Sequence, residues 1–154
     1  MSEGEDYIMY AKFFKRVLDF TLSLIALLVL SPVLLVLTIV GAIVMKGNPF
    51  FTQLRPGKVN KKSGKETIFR MIKFRTMSKS APDNVATYEL KDANSFISPI
   101  GHFLRKFSLD ELPQLINVLL GSMSLCGPRP PVTYVPYKGY DNYPAEFKQR
   151  FEMR

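Results

Sequence analysis

From Phe20 to Met45 the chain reads FTLSLIALLVLSPVLLVLTIVGAIVM, without one charged residue. A run of about 26 such residues exceeds the ~18 that indicate a membrane segment, so this part of the chain is expected to embed in a bilayer. It is too long for the apolar core of a signal peptide, and no A-x-A-like cleavage site follows it. Ser31-Pro32 lies near its middle. Proline lacks the amide donor and crowds the preceding turn, which predicts a kink or break there. Each half is then about 12–14 residues, roughly 18–21 Å of helix, short of a ~30 Å hydrocarbon core.

Charge bears on the same question. Lys12, Lys15 and Arg16 precede the run, whereas Lys46, Arg55, Lys58, Lys61 and Lys62 follow it. Positive flanks favour the cytoplasmic side, so both ends are expected on one face of the membrane. A re-entrant helix-break-helix meets that demand. A spanning helix with a tolerated proline is the alternative, and the pattern alone does not choose between them. Asp19, at the entry, has Lys15 and Arg16 one turn earlier and is expected to pair with them.

The net charge of +8 points to anionic partners: phosphorylated small molecules, an acidic membrane surface, or nucleic acid. Nucleic acid is the weakest of these, because no recognised binding motif is present and the charges flank a membrane segment. One cysteine, Cys126, and one histidine, His102, exclude an intrachain disulfide framework and a Cys/His zinc site. Any metal is therefore a hard cation on oxygen ligands, such as magnesium.

Asn48-Pro49 is a turn that closes the anchor, giving residues 1–47 as anchor and 48–154 as a second domain. FFTQLRPGK and TIFRMIKFRTM flank the polar VNKKSGKE, and the alternation in Ile72-Lys73-Phe74-Arg75 reads as strand, so a hairpin with a basic tip is predicted. The tip is either a solvated turn or a contact with anionic headgroups. Residues 78–98 lack periodicity and read as a long loop. PIGHFLRKF reads as a short helix with Phe103, Leu104 and Phe107 on one side, suited to the membrane interface or to a core. Pro144 opens a final helix in YPAEFKQRFEMR.

SLDELPQL, residues 108–115, places Asp110 and Glu111 side by side. Ser108 and Glu111 fit an S-x-x-E capping box with Phe107 and Leu112 as its staple, and the local pattern favours capping over catalysis. Leu112, Leu115, Ile116, Leu119 and Leu120 then form an apolar stripe, with Gly121 placed to end the helix. At a helix N-terminus two carboxylates can also meet phosphate, one attacking phosphorus and the other holding a cation. GPRPP, residues 127–131, is either a rigid corner or a stiff mount for the Arg129 guanidinium.

The segments KRVLDFTLSLIALLVLSPVLL, FFTQLRPG, IKFRTM and IGHFLRKFSLDELPQLINVLLGSMSLCGPRP occur in that order. In this register the chain, from about Lys15 to Pro130, resembles the monotopic bacterial polyprenyl-phosphate phosphoglycosyl transferases. The resemblance implies an α+β fold: a re-entrant anchor broken at Ser31-Pro32, then a small, mostly helical catalytic domain with a β-hairpin and interfacial helices. It implies transfer of a sugar-1-phosphate from a UDP-sugar to undecaprenyl phosphate, with release of UMP, at the cytoplasmic face of the bacterial inner membrane. By position Asp110 matches the nucleophile that carries a phosphosugar, and Glu111 its partner, the two associated with Mg2+. Arg105 matches an arginine near the active site, and Pro128-Arg129-Pro130 the PRP motif. Lys73 and Arg75 of IKFRTM join Arg129 as candidate substrate-binding residues. Expected partners are the UDP-sugar, undecaprenyl phosphate and membrane lipids, not nucleic acid, with self-association left open. Members of the family continue past RFEMR with a PGITG-like segment, so a shortened chain is expected here, and a truncated, inactive membrane-anchored interaction module is the alternative reading.

Overall fold

The computed structural model describes residues 3–60, 63–81 and 92–127 together with Gly139 and Asn142, with only backbone for residues 3–12. Among the described residues the order is α1 (Glu3–Val44), β1 (Phe50–Val59), β2 (Glu66–Phe74), α2 (Ala93–Phe96), α3 (Pro99–Lys106), a 3-10 turn (Leu109–Glu111) and α4 (Gln114–Leu119). The fold is α+β. Past the anchor, the described residues form two strands of 10 and 9 residues beside helices of 4, 8 and 6.

Helix α1 runs 42 residues with Pro32 inside it, without the predicted interruption. The reason lies one residue earlier. Residue 32 would normally donate to the carbonyl of Leu28, four positions back, and proline has no N–H to give. The Ser31 hydroxyl donates to that same carbonyl at 2.7 Å, so the acceptor is not orphaned. Phe13–Val44 is long and apolar enough to cross a membrane, and only 11% of its most apolar window is buried. A core helix of a soluble protein would bury that surface; here Leu28, Val29, Leu35 and Ile43 are among the side chains left for lipid.

The chain leaves α1 through Lys46 at φ 48 and turns at Asn48, whose side-chain oxygen accepts from the Phe50 amide at 2.9 Å. Strands β1 and β2 pair antiparallel from Phe50↔Phe74 to Pro56↔Ile68, with an irregularity before Val59↔Glu66. This is the predicted hairpin. Adjacent strand residues face opposite ways, which separates Phe50, stacked on the buried Phe74 at 5.3 Å, from Phe51 on the other face.

The outer edge of β2 is closed by a side chain. Asn117 accepts from the Ile72 amide at 2.9 Å and donates to the Arg70 carbonyl at 2.8 Å, and is almost fully buried. Its carboxamide takes the place that the peptide group of a third strand would fill. That contact turns α4 away from the predicted orientation. Asn117 and Val118 face inward, whereas Ile116 and Leu120 of the apolar stripe are exposed. Gly121, at φ 84, ends the helix as expected: its amide donates to Val118 and that of Ser122 to Asn117, a Schellman pair.

Helix α4 is docked on α1. Arg16 donates to the carbonyls of Val118 at 2.6 Å and Leu119 at 2.8 Å, the exposed acceptors of the α4 C-terminus. Arg16 therefore serves α4 instead of Asp19. Lys15 does pair with Asp19, at 3.6 Å, and also donates to Ser124. Asp19 in turn accepts from the Ser124 hydroxyl at 2.7 Å and the Leu125 amide at 3.2 Å, clamping the segment after α4.

Asn117→Ala should lower the melting temperature in detergent micelles, by the equivalent of about 2–4 kcal/mol, because two strand-edge backbone groups lose their partners. Leu120→Ser, on the exposed side of the same helix, should leave it unchanged. Equal melting of the two variants would refute the strand-edge role.

Candidate active site

Helix α3 starts at Ser98, whose side chain accepts from the Gly101 amide at 3.0 Å, with Pro99 in the first turn. The helix lies tight against the end of β2: a methyl group on Gly101 would stand 2.1 Å from the Thr76 carbonyl oxygen. That carbonyl accepts from the Ser98 amide at 3.0 Å, and the Thr76 hydroxyl accepts from Arg105 Nε at 2.9 Å. Arg105 is thus oriented from the strand. Its neighbours on α3 divide. Leu104 is 2% exposed and faces the core, whereas Phe103 and Phe107 stand out at 52% and 56%, ring centroids 5.0 Å apart.

Ser108 does not cap. It adopts φ 55 with no side-chain capping bond, so the predicted capping box is absent. The left-handed residue turns the chain sharply after α3, and its carbonyl accepts from the Glu111 amide at 3.3 Å. Asp110 and Glu111 consequently lie on a 3-10 turn packed between α3 and β2, and not in the first turn of α4.

The electrostatics of this turn join four predicted residues. Burial and the adjacent Glu111 carboxylate raise the Asp110 pKa above its ordinary value, while Lys73, the backbone amide and Arg105 oppose the rise. Burial likewise lowers Arg105, with Asp110 acting against the shift. Lys73 reaches the acids from β2 and Arg105 from α3. Lys73 Nζ and Arg75 Cζ sit 5.2 and 5.5 Å from the centroid of the Phe51 ring. Two buried donors nearby in sequence, Arg75 Nε just past β2 and Gln114 Nε2 at the start of α4, have no hydrogen-bond partner. Such groups are costly unless an acceptor, such as an anion, meets them. Pro128, Arg129, Pro130 and the predicted final helix lie outside the described residues. Thr76 and Phe51 were not singled out from the sequence; the alternation through IKFRTM, which puts Thr76 on the face opposite Lys73, was the available signal.

Among the described residues no three His, Cys, Asp or Glu side chains gather as a metal site. Two adjacent carboxylates suit magnesium nonetheless, because that ion keeps several waters and takes one or two carboxylates together with substrate phosphates.

Ionised Asp110 is penalised by its surroundings, so its protonated form is favoured by folding. This group's contribution to stability therefore falls as the pH rises through and beyond the ordinary carboxylate value of 3.8. Asp110→Asn should melt above the parent at neutral pH, with the gap closing as the pH is lowered past that value. A gap that widens on acidification would reverse the assigned sign.

Residues 10–154 match the family model described as bacterial sugar transferase. The undecaprenyl-phosphate glucose phosphotransferase of Komagataeibacter xylinus is 38% identical over 116 residues, 75% of this chain and 21% of that protein. A UDP-glucose:undecaprenyl-phosphate glucose-1-phosphate transferase of Escherichia coli (strain K12) is 39% identical over 116 residues, 75% of this chain and 24% of that protein. The exopolysaccharide production protein PSS of Rhizobium leguminosarum bv. phaseoli is 38% identical over 142 residues, 91% of this chain and 68% of that protein. The chain thus spans about a fifth to a quarter of the length of the first two. With the acidic turn and the apolar anchor in the matched register, the chain belongs to the bacterial sugar transferase family.

Proposed function

We propose that this chain carries the catalytic machinery that transfers a sugar-1-phosphate from a UDP-sugar to undecaprenyl phosphate, and that it starts polysaccharide or glycoconjugate assembly. The observation that supports this most is the half-buried Asp110 carboxylate, its pKa raised, set among Glu111 and the cations Lys73 and Arg105. The names of the relatives support the substrate classes. In this reading an Asp110 oxygen attacks the sugar-bearing phosphorus of the donor, and the bond from that phosphorus to the UMP oxygen breaks. UMP leaves with that electron pair, and the sugar phosphate rests on Asp110 as an acyl-phosphate. A phosphate oxygen of undecaprenyl phosphate then attacks the same phosphorus, which frees the carboxylate and forms the lipid diphosphate.

The roles of the described residues follow from their settings, and that of Arg129 from its sequence position. Partial burial strips water from Asp110 and strengthens its interaction with neighbouring charges. Arg105, fixed by Thr76, and Lys73 draw the anionic donor towards an anionic nucleophile. Arg75, and Arg129 between Pro128 and Pro130, serve the donor's phosphates. Asp110 and Glu111 would hold Mg2+, which supplies charge neutralisation on the donor phosphates.

The anchor fixes the depth of the reaction. Arg16 and Asp19 bind the end of α4 and the segment after it to α1, which supports a reading in which the acidic turn works at the level of the interface, where the lipid phosphate lies. On this reading α1, helical through Pro32, bends there and returns to the cytoplasmic leaflet, while the exposed Phe103 and Phe107 settle α3 among the headgroups. The inner membrane, cytoplasmic side inward, is the location this predicts.

Incubation with UDP-sugars, undecaprenyl phosphate and magnesium should release UMP, and Asp110→Asn should abolish release. The acid limb of the pH profile should lie above the ordinary carboxylate value, because Asp110 must be ionised to attack. Turnover surviving in Asp110→Asn would sink the nucleophile assignment. Cysteines placed singly at Tyr10 and Lys62 should both label from the cytoplasmic side; periplasmic labelling at residue 10 would refute the re-entrant anchor.

A further inference from the structure

We propose that Phe51 is a positioning residue: its ring holds Lys73 and Arg75 together as a two-cation seat for the diphosphate of the nucleotide donor. This rests on the reading of the chain as a UDP-sugar transferase. The strand register dictates the arrangement. Phe51 is paired with Lys73, and the Arg75 amide, donating to the Pro49 carbonyl at 2.7 Å, continues the ladder one pair further. Residues 51, 73 and 75 therefore share one face of the hairpin. The Lys73 ammonium and the Arg75 guanidinium approach one ring, at 5.2 and 5.5 Å from its centroid.

Two cations on one side chain repel each other, and an aromatic face is among the few apolar surfaces that attract both. A leucine of similar bulk would fill the space without that attraction. The gathered charge is of the sign that an adjacent pair of phosphates requires, and Arg75 Nε is a buried donor without a hydrogen-bond partner. Strand β2 packs against the acidic turn and Lys73 acts on Asp110, so the Lys73 end of the seat faces the acids. Phe50 cannot share this role, because it stacks on Phe74 on the opposite face.

The test is UDP binding by the full chain in lipid nanodiscs with magnesium present. Phe51 is replaced by phenylalanines carrying one, two and three ring fluorines, which drain the π face while keeping shape and fold. UDP affinity should fall stepwise with fluorine number, reaching about 3- to 10-fold. Phe51→Trp should bind at least as well as the parent, and Phe51→Leu about as poorly as the trifluoro form. In a Lys73→Met/Arg75→Met background the fluorine series should be flat. A flat series in the parent, or an undiminished slope in the double variant, would overturn the role of Phe51. UDP binding that follows the expected series while no UDP-sugar yields UMP would instead overturn the transferase reading and leave the two-cation seat as a nucleotide-binding feature.

Discussion

The position of the acidic turn depends on one guanidinium. Arg16 meets the carbonyls of Val118 and Leu119, where α4 presents the negative end of its backbone dipoles. Helix α4 is only six residues long and could not hold itself against a membrane helix by apolar area alone. With Arg16 on its end and Asp19 on the segment that follows, it becomes a rigid strut between the anchor and Pro113, two residues beyond Glu111. The acids are therefore tied to a fixed level on α1.

Strand β2 is the other organiser, and it uses both edges and both faces at once. One edge pairs with β1, and the other is bonded by Asn117. One face contributes Lys73 to the acids, while the continuation of the opposite face contributes Thr76, which orients Arg105. A single strand thus fixes the cation that arrives from the sheet and the one that arrives from α3. Lys73 stands on the strand itself and Thr76 two residues past its end, so their placement follows closely from strand geometry.

Much of this was legible in the sequence. Alternation in IKFRTM gave the hairpin, glycine at position 121 gave the end of α4, and the charge-free run gave the anchor. Periodicity failed at α4 because it weighs only apolar residues. The polar Asn117 takes the inward position, since an open strand edge rewards hydrogen bonds more than oil. The capping box failed for a related reason. Ser108 has the right identity, but α3 ends immediately before it, and reversing the chain there requires a left-handed residue in place of a cap. Arg16 and Asp19 are three residues apart on a helix, a spacing that suggests mutual pairing, and tertiary acceptors outcompete it. In each case a long-range partner overrides a local rule, and one-dimensional patterns carry no record of such partners.

Ser31 has a wider consequence. In hydrocarbon, a bend at proline normally needs a neighbouring helix or a water molecule to satisfy the carbonyl it strands. Here the residue before the proline does so from within the same turn. The continuity of α1 through Pro32 is then a private property of its own sequence, independent of what folds behind it. An emerging chain could take up its membrane path before the hairpin, α3 or α4 had been synthesised, leaving Arg16 and Asp19 as preset docking points for the rest.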